Sequence, residues 1–298
     1  MRIFQILTLI AILFPTLGWT SEILISIKPL YHIIYPLVKD IDNSSLFIEK
    51  HIDPHHYSLT PSDVVKVQKA EIIIITNRNF EYFLYQAAIK ANPKAIVIEI
   101  SEIPGINLLA SNHSHTHENS HDDKHSHDDA NMDYHLWLNP DNARVITEYL
   151  TDYLSQINSK HKLTYEERAQ KLLTEISSFD MQAALLLKPH QTSGFLVLHD
   201  SYQYLEKKYN LNNQGAINLA NGKRANIRDI SKIQKMIAKN NIKCIFHEPY
   251  ENATKITTIA GNHTKVKALD SEWGPIENNY ILFMNNLIKD FTDCFYVK

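Results

Sequence analysis

The chain has 298 residues, 44% of them hydrophobic, with a formal net charge of −3 and seven glycines. That length and apolar content suffice for one large domain or two medium ones. No basic block lies outside the extreme N-terminus, and neither a GxGxxG run nor a P-loop run appears. These features argue against nucleic acid as a partner and against a dinucleotide or P-loop site.

In chain order, Met1-Arg2 precedes an apolar run from Ile3 to Leu17 and the small-residue exit Gly18-Trp19-Thr20-Ser21. This is the pattern of a secretory signal over residues 1–20, and it predicts a periplasmic, exported chain. The run is short for a membrane span and carries Pro15, so an uncleaved anchor is the lesser alternative. No cysteine lies near the exit to take a lipid, and no later segment is long and apolar enough to span a bilayer.

Glu22–Lys28 reads as a strand, Pro29–Ile41 as a helix and Ser45–Ile52 as a second strand. Thr60-Pro61-Ser62-Asp63 has a capping residue, a proline and an acidic first turn, and opens a helix. Glu71–Thr76 is almost wholly apolar, as in a parallel strand buried on both faces. A helix over Phe80–Ala91 and a strand over Ala95–Ile100 follow.

The next stretch changes character. His113, His115, His117, His121, His125 and His127 alternate with Glu118, Asp122, Asp123, Asp128 and Asp129, with almost nothing apolar between them. Such a tract cannot bury a core and reads as a mobile loop over 111–131. Imidazoles and carboxylates at that density form a weak secondary store for a borderline metal such as zinc; the bland alternative is a solvated linker. Order returns at Asp133-Tyr134-His135-Leu136-Trp137-Leu138, with Asn139 and Pro140 placed as N-cap and first residue of a helix running to about Asn158.

Thr164-Tyr165-Glu166-Glu167 reads as a capping box starting a helix over 163–188. Its apolar stripe contains Leu172, Leu173, Ile176, Phe179, Ala183, Leu186 and Leu187, which simple packing explains. Alternation then resumes. Strands are predicted at Gly194–His199, Gln214–Leu219, Lys243–Glu248 and Lys265–Asp270, and helices at Ser201–Tyr209, Asn226–Asn240, Asn252–Gly261 and Asn278–Phe295. Two blocks of strand–helix alternation predict two α/β lobes with parallel sheets, residues 21–162 and 189–298, joined by the long helix.

In open α/β sheets, ligands bind beyond the carboxyl ends of strands. His55 falls between a strand and a helix, His135 just before a helix, and His199 and Asp270 end their strands. Three imidazoles and a carboxylate make a four-coordinate shell suited to zinc. From spacing alone His199 could be a core histidine and Asp270 a helix cap; His247 also ends a strand and competes with His199. The pair Cys244 and Cys294 in an exported chain reads as a disulfide closing a loop of about 50 residues. Two buried free thiols are the alternative.

These residues resemble the ZnuA-type zinc receptors, the cluster A-I solute-binding proteins of ABC metal importers. The likeness rests on Pro54-His55-His56-Tyr57 with Thr60-Pro61-Ser62-Asp63, on Asp133 to Pro140, and on His199-Asp200-Ser201-Tyr202-Gln203-Tyr204. Leu269-Asp270-Ser271 resembles the segment that supplies a carboxylate in relatives, and Glu272-Trp273-Gly274 departs from the usual run. Cys244, just before Ile245-Phe246-His247-Glu248-Pro249, and Cys294 resemble the family's disulfide pair.

The resemblance implies two (β/α) lobes on a rigid helix and a monomer that is not an enzyme. It implies Zn²⁺ held by His55, His135 and His199, with Asp270 or water completing the shell. Its partner would be an ABC permease in the inner membrane with a cytoplasmic ATPase. Manganese receptors of the same family, which carry a carboxylate at the position of His199, are the runner-up. A secreted zinc buffer or adhesin is a further alternative, and a zinc hydrolase is disfavoured because no HExxH or HxxEH run appears.

Overall fold

The computed structural model describes residues 21–49, 54, 57–111, 132–217, 227–261 and 264–296. The predicted signal, His55, His56 and the histidines of the tract lie outside the described residues.

The first half carries β1 (Glu22–Ile25), α1 (Lys28–Val38), β2 (Asn43–Leu46), α2 (Pro61–Lys69), β3 (Ile72–Ile75), α3 (Tyr82–Ala91) and β4 (Ile96–Glu99). Its strands form a parallel sheet in the order β2-β1-β3-β4. Ile72, Ile73, Ile74 and Ile75 are all buried, as a central parallel strand covered by helices on both faces requires. At the helix starts, polar side chains satisfy backbone N–H groups that have no partner within the helix. The Asp63 carboxylate takes the Thr60 N–H at 2.8 Å, and Asn139 takes the Asp141 N–H at 3.0 Å.

Between the halves, β5 (Leu109–Ala110) and β6 (Met132–Asp133) pair antiparallel on either side of the histidine tract. Then come α4 (Pro140–Ile157) and α5 (Lys162–Leu187). The second half holds β7 (Phe195–Val197), α6 (Gln203–Tyr209), β8 (Asn213–Ala216), α7 (Ile227–Lys239), β9 (Cys244–His247), α8 (Ala253–Ala260), β10 (Lys265–Ala268) and α9 (Tyr280–Phe295). Its sheet is again parallel, in the order β10-β9-β7-β8.

The fold matches the predicted alternation, with most strands shorter than expected. Helix α5 starts at Lys162, after a 3₁₀ turn over Ser159–His161, so Thr164 lies inside the helix and does not cap it. Its buried face is Tyr165, Ala169, Leu172, Ile176, Phe179, Ala183 and Leu187, while Leu186 of the expected stripe points to solvent.

At 26 residues, α5 is about 39 Å long at 1.5 Å per residue, and it packs on α4, α9 and α1. Polar ties fasten it to both halves. Tyr165 Oη donates to Asp42 at 2.6 Å and Arg168 reaches the Leu37 carbonyl; further along, Tyr209 Oη donates to Asp180 at 2.9 Å. One apolar cluster runs through both sheets and this helix, from Ile74 through Trp137 and Ile176 to Phe246 and Phe291. Moving one sheet against the other would open that core, so the frame resists large hinge motion. No helix among the described residues is long and apolar enough to cross a membrane.

Cys244 and Cys294 form a disulfide between β9 and α9, with Cα atoms 6.1 Å apart and 50 residues between them. Loop-closure entropy for that span puts its contribution at roughly 4 kcal/mol, with measured values often lower. The C244A/C294A double variant should therefore lose about 2–4 kcal/mol in urea unfolding. An unchanged midpoint would show that the bridge is not stabilising.

Candidate metal centre

Three metal-ligating side chains converge at the carboxyl edges of the strands. One ligand atom each from His135, His199 and Glu272 lies within 4.8 Å of the others. His135 and Glu272 are buried, and His199 is partly open to solvent.

His135 is placed by the short ribbon that brackets the histidine tract. Tyr204 Oη, at the start of α6 in the second half, accepts the Leu109 N–H at 3.0 Å and donates to the Asp133 carbonyl at 2.5 Å, gripping both strands of that ribbon. The Asp133 carboxylate then takes the His135 N–H at 3.0 Å and meets His135 Nδ1 at 2.8 Å. An imidazole held at Nδ1 by a carboxylate is fixed in orientation, and a metal would be taken at Nε2. Trp137 packs edge-on against the ring, with centroids 5.3 Å apart.

His199 sits in the bend after β7, its ring 4.9 Å from that of His135. His199 Nδ1 lies 3.7 Å from one oxygen of Glu248 and 3.7 Å from one oxygen of Glu272. Ligands about 2.05 Å from a tetrahedral zinc stand about 3.3 Å apart, a spacing both carboxylates approach, and of the two it is Glu272 that also lies within reach of His135.

Glu248 is fully buried and acts as the post behind the site. It accepts Tyr202 Oη at 2.7 Å, the Ser271 N–H at 3.2 Å and Ser271 Oγ at 2.5 Å. Ser201 Oγ lies 2.9 Å from Ser271 Oγ. This network joins the segment after His199 to the segment before Glu272.

Asp270, expected as the fourth ligand, does not join the cluster. Its Oδ1 accepts the N–H groups of Glu272 (3.1 Å) and Trp273 (2.7 Å), and its Oδ2 accepts that of Gly274 (2.8 Å). Burial pushes this carboxyl above the usual range, and those hydrogen bonds pull it back. Its role is to fold the turn that carries Glu272. Glu272, two residues beyond the strand-end Asp270, is the carboxylate that lies in the cluster. His247 is not part of the cluster, and its Nδ1 lies 2.8 Å from the Glu248 carbonyl. His55 and the secondary set His113, His115, His117, His121, His125 and His127 are not described.

Two parallel sheets braced by a long helix, with metal-ligating side chains between their carboxyl edges, define a metal-binding receptor of the solute-binding class. The family model for the zinc-uptake complex component A, periplasmic (ZnuA), matches residues 23–294, and the chain belongs to that family. Two relatives are both called high-affinity zinc uptake system protein ZnuA. That of Brucella abortus is 25% identical, covering 93% of this chain and 92% of its own; that of Haemophilus ducreyi is 25% identical over 97% of each. A crystal structure of a 138–173 deletion mutant of ZnuA with zinc bound superposes with a TM-score of 0.77 at 18% identity, covering 94% of this chain and 99% of its own.

If Asp133 orients His135, D133A should weaken zinc binding about 10–100-fold, as loss of a residue supporting a metal ligand typically does. Chelator competition would measure this, and wild-type affinity in D133A would remove Asp133 from the site.

Proposed function

We propose that this chain is a periplasmic receptor that captures Zn²⁺ and passes it to an ABC permease with its cytoplasmic ATPase. The observation that carries the reading is the convergence of His135, His199 and Glu272 from three distant stretches onto one point between the sheets. Two imidazoles and one carboxylate give a shell of net charge about +1 around the ion, which the neighbouring buried carboxylates offset. The nitrogen-rich donor set favours zinc over manganese, which prefers oxygen. His55 completes the shell as a third imidazole, and Glu272 takes the carboxylate position first expected of Asp270. The chain is not an enzyme on this reading, since delivery requires the ion to be released unchanged. The tract from His113 to Asp129 serves as a weaker zinc store.

Zinc is the cargo, so affinity is the primary readout. H199A and E272Q should each lose more than the 10–100-fold typical of a supporting residue, while D270N should act mainly by loosening the turn and should lower stability as well. Equal zinc affinity in E272Q and wild type, with a large loss in D270N, would restore Asp270 as the ligand.

Imidazoles must shed their protons to bind metal, and an ordinary imidazole does so near pH 6.5. Zinc affinity should therefore be full above about pH 7.5 and fall steeply as pH drops below about 6.5. A flat profile down to about pH 5.5 would contradict an imidazole shell.

A further inference from the structure

The turn bearing Glu272 belongs by sequence to the second half, yet its backbone is held from the first. The carbonyls on either side of Glu272 each meet a donor from the first half. Trp137 Nε1 donates to the Ser271 carbonyl at 2.8 Å, and His32 Nε2 meets the Trp273 carbonyl at 2.8 Å. His32 lies on α1, and a carbonyl partner requires its Nε2 to carry the proton.

His32 is fully buried, and its Nδ1 has no hydrogen-bond partner among the described residues. Burial holds this imidazole down to about 4, so it is a neutral donor at any pH at which the ligand histidines can bind metal. Its ring stacks on Phe283 with centroids 5.6 Å apart. Gly274 lets the turn come this close. With φ at +67°, a Cβ there would stand 3.0 Å from His32 Nε2 and 2.4 Å from Phe283 Cδ2. A second tie from α1, Lys28 Nζ to Asn278 Oδ1 at 2.7 Å, holds the loop just beyond.

A core position with no task beyond packing would be better filled by Phe or Leu, because a buried ring nitrogen without a partner is costly. The histidine's useful feature is the N–H that reaches the backbone next to Glu272. We infer that His32 is a positioning residue for the zinc site: from the first half of the chain it fixes the turn that presents the Glu272 carboxylate. Glu272 is thereby tied to the first half as well as to the second, where its own strand lies. The inference rests on the reading of Glu272 as a zinc ligand.

The test is a chelator competition with Zn²⁺ on the full mature chain as wild type, H32F, H32L, H32Q, E272Q and H32F/E272Q, with thermal unfolding of each metal-free protein. H32F should bind zinc about 10-fold or more weakly, as for lost support of a ligand, while the metal-free protein still unfolds cooperatively, its midpoint lowered only by the loss of one buried hydrogen bond. H32Q, which keeps an N–H where Nε2 stands, should recover most of the affinity. H32F/E272Q should bind no more weakly than E272Q alone, because His32 acts through Glu272. Should Phe not fit the space, H32L carries the same expectation.

Wild-type affinity in folded H32F or H32L, alongside a loss in E272Q, would overturn the inference. So would losses from H32F and E272Q that add in full, since His32 would then act elsewhere. Wild-type affinity in E272Q would instead overturn the ligand assignment beneath it.

Discussion

Three backbone N–H groups converge on the carboxylate of Asp270, and the turn they close sets where Glu272 points. That turn is the constraint on which the zinc site depends. It follows β10 at an edge where a free loop could take many paths, and each path would send the carboxylate elsewhere. Asp270 closes the turn from inside, Glu248 grips Ser271 from the same half, and Trp137 and His32 hold it from the other half. Each contact is a modest hydrogen bond, worth about 1 kcal/mol net, but each would be costly to leave unmade in a buried place. Together they turn a flexible segment into part of a preformed receptor.

The same logic governs the histidines. His135 follows a two-stranded ribbon too short to be stable alone, which is held by Tyr204 from the opposite half. His199 follows β7 and shares with Glu272 the support of the Glu248 network. The ligand segments are thus cross-braced between halves rather than carried independently by each. With α5 bonded at both ends and one apolar cluster running through, the frame holds the three donors within 4.8 Å of one another. A receptor of this kind gains affinity by spending little on closure.

Much of the fold was legible in the sequence because the two periodicities were clean. An unbroken run such as Ile72–Ile75, or a stripe such as Leu172, Ile176, Phe179 and Ala183, leaves few choices of element. The ribbon of β5 and β6 was not legible, since two residues on each side of a polar tract carry no pattern and pair only because Tyr204 and Gln203 grip them. The start of α5 was misplaced because Thr164 has capping chemistry, while a 3₁₀ turn had already begun the helix. At the site, strand-end position pointed to His199, His247 and Asp270 alike. Strand position cannot say which side chain turns inward. His247 bonds to a neighbouring carbonyl and Asp270 spends its oxygens on backbone, and both facts depend on local hydrogen bonding that only three dimensions reveal.

On the proposed reading, tight zinc is held between the two sheets and not by the histidine-rich tract. The most direct measurement is zinc affinity and stoichiometry, by chelator competition, for mature protein lacking residues 113–130, with manganese as the control ion. One tight zinc should survive the deletion, with manganese much weaker. Loss of tight zinc would contradict it, moving the binding function to the tract.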